Sequence, residues 1–207
     1  MTFMIRSLVV LIFLGSCANI PISYKDAPIA IYRTIAGYPD MVINSEIYNS
    51  YEYSFAEVKI GRSQPILMVL ASIDNDIYTW IDQEGVRLIT RNGRIIQTSG
   101  LPNDVYIKQS NQRLMFNEGT FYETVDFYKP KLINADLLSV TSYEEEEDYL
   151  FIDNVIKARV FKEVISIKDI GWKEENTYYF DKKNRELKTI QNIHPFLDKI
   201  QIKFFYK

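Results

Sequence analysis

From Tyr51 to the C-terminus, apolar and polar positions alternate in short runs broken by turn residues, the period-two pattern of β-strands. Tyr51, Tyr53 and Phe55 alternate with Glu52 and Ser54. Ile66 to Ala71 is a continuous apolar run of strand length, which predicts a central strand buried on both faces. Ile77 to Asp82 carries Trp80 and ends at the turn Gln83-Glu84-Gly85. Val86–Arg91 and Arg94–Thr98 flank Asn92-Gly93, which predicts a hairpin with a type I′ turn. In the second half, Phe121–Tyr128, Leu137–Tyr143, Tyr149–Ile152, Val155–Ile170, Thr177–Phe180, Glu186–Ile193 and Lys199–Tyr206 read as strands. The acidic run Glu144 to Asp148 reads as a solvated loop tip. One segment has helical spacing instead. Tyr24 to Ala36 places Ile31 and Ile35 on one face, with Asp26 as a cap, Pro28 in the first turn, and Gly37 and Pro39 to stop it. No Ser/Gly linker or composition break divides the body, so residues 24–207 are expected to form one mostly β domain with a short N-terminal helix.

The N-terminus has a different texture. Arg6 is the only charge in the first sixteen residues, and Leu8 to Leu14 is an unbroken apolar run. It is too short for a membrane span, which takes about 20 residues. A positive start, an apolar stretch and small residues describe a secretory signal. The ending Leu14-Gly15-Ser16-Cys17 is similar to a bacterial lipobox, in which cleavage precedes a cysteine that carries acyl chains. Residues 1–16 are therefore expected to be a signal peptide, and 17–23 a lipidated Cys17 with its tether. Cys17 is the sole cysteine, so the chain has no internal disulfide to make. More than one acyl chain makes anchoring stable. Ala18 follows Cys17, where an Asp would mark inner-membrane retention, which points to the outer membrane with the body facing the periplasm.

Composition removes several chemistries. The 207 residues hold 24 basic and 27 acidic side chains, a net charge of −3, without the basic excess of a nucleic-acid binder. Loss of Arg6 with the signal takes this to −4. With one His and one Cys, a zinc site lacks ligands, and a nucleophile–histidine pair would have to use His194. His194 has no Ser or Cys near it in a nucleophile-like setting and reads as a satisfied residue. The acidic run lacks the ligand spacing and Gly of a calcium loop. No catalytic residue, metal or cofactor is expected.

Two patches carry a family resemblance. Trp80 to Leu101 shows a Trp, a short turn, an apolar strand, Asn92-Gly93-Arg94, Thr98 and Gly100-Leu101. Tyr178-Tyr179-Phe180-Asp181 is followed by Gln191-Asn192-Ile193-His194-Pro195. Together they resemble the YjbF/GfcB lipoproteins of capsule and exopolysaccharide loci, with Tyr179 in place of the usual Trp. The resemblance implies a strongly curved antiparallel sheet, a half-barrel or sandwich-like body, and a non-enzymatic accessory role in polysaccharide export or assembly. Expected partners are the membrane, through acyl chains on Cys17, and the polysaccharide or export-machinery proteins. Trp80, Gly93, Arg94, Thr98, Gly100 and Leu101 lie close together if the hairpin forms, and Arg87, Arg91 and Arg94 share that hairpin. They are either structural or, if exposed, a face for an anionic polymer or partner, since Arg forks pair with acidic groups. The alternative function is a periplasmic lipid or lipoprotein carrier, which would need an apolar cavity of about 300 Å³ or more. A hydrolase would need convergent carboxylates or a nucleophile beside His194.

Overall fold

The computed structural model describes residues 32, 33, 36–108 and 117–207. The expected signal peptide, Cys17 and the expected tether lie outside these residues. So does most of the expected helix 24–36, of which Tyr32, Arg33 and Ala36 are helical. The chain divides into two compact units, Met1–Gly37 and Tyr38–Lys207. The second unit holds the β domain.

In that unit a short helix, α1 (Ser45–Ser50), precedes twelve strands. The strands are β1 (Phe55–Ile60), β2 (Ile66–Asp74), β3 (Ile77–Ile81), β4 (Arg87–Arg91), β5 (Arg94–Ser99) and β6 (Val105–Lys108), then β7 (Gly119–Phe127), β8 (Leu132–Phe151), β9 (Asn154–Ile167), β10 (Trp172–Phe180), β11 (Glu186–Gln191) and β12 (Ile200–Phe205). Each pairs antiparallel with its sequence neighbour, and β1 also pairs with β12, from Phe55↔Phe205 to Ile60↔Ile200. The sheet is thus a closed up-and-down barrel. The expected half-barrel or sandwich is corrected on this point: the last strand has a free neighbour to pair with, and closure removes both exposed edges.

Alternation sets the inside. Ala56, Val58, Met68, Trp80, Leu88, Val125, Phe127, Ile165, Ile202 and Phe204 point inward and form one apolar core. This is the reverse of a membrane barrel, which carries its apolar band outward. β2 is not buried on both faces as its apolar run suggested. Only Met68 is fully enclosed, while Val69 and Ile73 are exposed, because a closed single-layer barrel has no second sheet to cover its outside.

Three further expectations change. The acidic run is strand, not loop: Glu145 to Asp148 pair with Val160 to Lys157 in one long β8–β9 hairpin. Lys157 pairs with Asp148 at 2.8 Å and Lys162 reaches Glu144 and Glu175, so neighbouring cations offset the acids. The far end of this hairpin is an arm that returns to the barrel wall. Phe151 stacks on Phe205 at 5.9 Å, and the Asp153 carboxylate accepts from the Ser45 N–H at 2.9 Å and from its hydroxyl. Ile152 sits at the turn with φ 57, a conformation that β-branched residues resist. Its side chain packs in the apolar cluster of Ile43, Phe55 and Phe205, which holds it there. Finally, β6 was not anticipated, and Tyr51 and Tyr53 precede β1 rather than belonging to it.

Candidate functional site

The Asn92-Gly93 turn forms as expected, with φ 48 and 75 and Arg91 opposite Arg94. Its position is the surprise. Eight strands enclose an interior that side chains can fill, and twelve enclose more. Here the hairpin tip helps to fill it. Arg94, Ile95 and Ile96 are all buried in succession, so the first half of the strand shows water neither face. The tip lies on β11, six strands away in either direction and therefore on the opposite wall. Gln191 of β11 donates from Nε2 to the Gly93 carbonyl at 2.8 Å and accepts the Ile95 N–H at 2.9 Å.

Arg94 is 2% exposed and lies between two carboxylates. It reaches Glu123 of β7 with both terminal nitrogens, at 3.1 and 3.0 Å, and Glu163 of β9 at 3.0 Å. Burial works against the charged guanidinium, but Glu163 and Glu123 outweigh it and push its pKa up. Glu163 also accepts from the Ser139 hydroxyl at 2.6 Å, Asn176 Nδ2 at 3.1 Å and the Tyr178 hydroxyl at 2.5 Å. A buried ionic group holds its shape only when its remaining lone pairs and protons are met in this way.

The sequence candidates thus separate. Trp80 is 1% exposed, packs 5.4 Å from Phe204 and donates its indole N–H to the Thr90 hydroxyl at 3.0 Å. Arg91 pairs with Asp76 at 3.2 Å. Arg87 alone of the four is exposed, on the outer face. A recognition face that needs Trp80 and Arg94 at the surface is therefore not formed, because both fill the space that twelve strands enclose. Thr98 and Gly100-Leu101 hold the β5–β6 connection locally. Asp104 accepts from the Thr98 hydroxyl and from the N–H groups of Gly100 and Leu101. His194 is 1% exposed, packs edge-on against Phe127 with ring centres 4.5 Å apart, and its Nδ1 accepts the Phe196 N–H at 3.0 Å. Burial lowers its pKa, and the Lys129 carbonyl partly offsets this.

The two sequence patches, far apart in the chain, meet in the lumen. Gln191 holds the Gly93 tip, and Tyr178 completes the shell of the carboxylate that binds Arg94. Sequence reasoning passed over Glu123, Glu163 and Asn176. Only an inward strand parity shared with apolar neighbours (Glu163 with Ile165, Glu123 with Val125) could have marked them.

The void left beside Arg94 and Trp172 is about 10 Å³, the room of a single water. Larger hollows lie at the surface. One of about 520 Å³ sits at the barrel mouth between the arm, the β10–β11 turn and the end of β12. Another, of about 620 Å³, runs past Tyr106, Tyr128 and Ile133.

Among known proteins, the profile of the YjbF family, described as group 4 capsule polysaccharide lipoprotein, matches residues 30–205. The uncharacterized lipoprotein GfcB of Escherichia coli (strain K12) is 25% identical over 94 residues, 45% of this chain and 42% of that relative's length. The crystal structure of the lipoprotein YmcC from Escherichia coli (K12) has the same fold, with a TM-score of 0.71 at 17% identity, over 91% of this chain and 98% of the other.

Proposed function

We propose that this chain, which belongs to the YjbF family of group 4 capsule polysaccharide lipoproteins, is an outer-membrane lipoprotein that faces the periplasm and assists export or assembly of an extracellular polysaccharide without catalysis. Cys17 is the anchor in this reading, supported by the Leu14-Gly15-Ser16-Cys17 ending and by Ala18 after it. The partners are the membrane, the polysaccharide and proteins of the export machinery.

The observation that carries a binding role over a carrier role is the filled lumen. A carrier needs an apolar cavity of several hundred Å³. The barrel interior is instead crossed by the hairpin tip and locked by Arg94, Glu123 and Glu163, and the void beside Arg94 and Trp172 is only about 10 Å³. His194, which could have suggested chemistry, is buried against Phe127 and spends its Nδ1 on the Phe196 N–H. Function then belongs to the outer surface and the mouth.

The test is deletion of the gene in its own host, with quantification of surface polysaccharide. Wild-type protein should restore it. Cys17→Ser should leave the outer-membrane fraction and fail to restore it, and mass spectrometry should find acyl mass on Cys17 of the native protein. Unchanged polysaccharide in the deletion strain would overturn the role, and an unmodified Cys17 would overturn the anchor.

A further inference from the structure

The mouth cavity differs from the lumen in what lines it. Of its twelve lining residues, six are charged: Lys157, Asp181, Lys182, Lys183, Arg185 and Glu186. The rest are apolar or aromatic, among them Phe151 of the arm and Tyr206 after β12. Its volume of about 520 Å³ falls in the range of small-molecule sites.

The charges are not equivalent. Asp181 is committed to its own turn. One of its oxygens accepts the N–H groups of Lys183 and Arg185 at 2.7 and 2.9 Å, and the other accepts Arg185 Nε at 2.9 Å. Burial raises its pKa, but these hydrogen bonds outweigh it and hold Asp181 low, as an anion. Lys157 is paired with Asp148. Lys182 and Lys183 are exposed and make no ion pair among the described residues. The turn is also fixed rather than free, with Asn184 at φ 64 bonded to Arg159. Two uncommitted cations are thus held over an aromatic floor in a chain whose net charge is −3.

The floor is closed. Phe204 is fully buried and packs on Trp80, and the Tyr206 hydroxyl donates to Glu186 at 2.9 Å. A lipid tail would require an apolar sleeve that continues inward, and the filled lumen provides none. A flat-faced, hydroxylated ring with a carboxylate suits the site: its C–H face packs on aromatic carbon, its hydroxyls meet Glu186 and Tyr206, and its acid meets the lysines.

We propose that the barrel-mouth cavity binds a short stretch of acidic saccharide, with Lys182 and Lys183 holding its carboxylates and Phe151 and Tyr206 its ring faces. The proposal rests on the polysaccharide reading above and names the site and the charge class of the polymer.

The test is calorimetric titration of the full-length chain, purified in detergent, with hexagalacturonate. Controls are neutral maltohexaose and poly-glutamate of matched charge. Hexagalacturonate should bind, more weakly as salt rises, and the controls should bind at least ~10-fold more weakly. Lys182→Glu with Lys183→Glu should cut hexagalacturonate affinity by about tenfold or more at an unchanged melting midpoint. Lys173→Glu, an exposed charge reversal on β10, should leave it unchanged. No binding, equal binding of either control, or full affinity in the double variant would overturn the site. If deletion of the gene still abolishes surface polysaccharide in that case, only this site falls. If deletion has no effect, the functional reading falls whatever the titration shows.

Discussion

The crossing of the lumen by the β4–β5 hairpin can be tested with one methyl group. Gly93 has φ 75, and a Cβ placed there would sit 2.9 Å from Glu186 Cγ and 3.1 Å from Thr189 Cγ2 on the opposite wall. Gly171 has nearly the same backbone, φ 63, but a Cβ there would meet nothing within 4 Å. Alanine in the left-handed region costs about 1–2 kcal/mol from its own backbone. Gly171→Ala should cost that much and no more. Gly93→Ala carries the same backbone cost plus the overpacking of a filled interior, about 1–3 kcal/mol, so it should lose about 2–5 kcal/mol. Urea denaturation of both variants and the wild type, followed by Trp fluorescence, measures the difference. The excess of Gly93 over Gly171 is the contact of the tip with β11. If the two glycines cost the same, the tip does not reach the opposite wall, and the account of the plugged barrel is wrong.

Three more outcomes follow from the interior. Arg94→Met leaves Glu123 and Glu163 buried without their cation and should cost about 3–5 kcal/mol; the triple variant with both glutamates changed to Gln should recover much of it, and a triple variant no more stable than Arg94→Met would deny the ionic account. Trp80→Phe strands the Thr90 hydroxyl and should cost about 1–3 kcal/mol in the same denaturation assay, whereas a cost near zero would mean that the indole N–H bond contributes nothing. Burial raises the Glu186 pKa above its ordinary 4.5, with the Tyr206 hydroxyl working the other way, so the folded state holds the proton more tightly. The stabilising contribution is then complete below the unfolded value and is lost as pH rises through the folded one. Glu186→Gln should therefore gain on the wild type as pH rises above the ordinary 4.5 in unfolding experiments, and a gap that does not move with pH would contradict this.

The strands were legible because alternation and turn residues are local. The Asn92-Gly93 turn, the break at Lys182–Arg185 and the terminal strand all came from a few adjacent residues. Closure was not legible, because the pairing of Phe55 with Phe205 depends on the curvature summed over twelve strands. β8 and β9 looked broken because Glu144 to Asp148 suggested solvent, and strand parity beside Lys157 and Lys162 overrode that composition. The turn at Ile152 has no turn residue at its positive φ; the apolar cluster beneath it decides its conformation. Among the site candidates, a run of Arg on one hairpin gave no clue to direction. Arg87 and Arg94 belong to one hairpin, yet Arg87 faces water while Arg94 reaches Glu123 of β7 and Glu163 of β9 inside the barrel, because the hairpin tip bends into the lumen.

The pairing of the first strand with the last also sets the order in which the molecule can come into being. Local hairpins such as β8–β9 can form as soon as their residues are available, but the β1–β12 ladder joins residues about 150 positions apart, a slow, high-entropy closure. Until Ile200–Phe205 arrive, β1 and β11 each present an open edge and the inward faces of both remain wet. A ribosome still holding the final residues therefore keeps the barrel open. The barrel closes only when its last strand is free to meet its first.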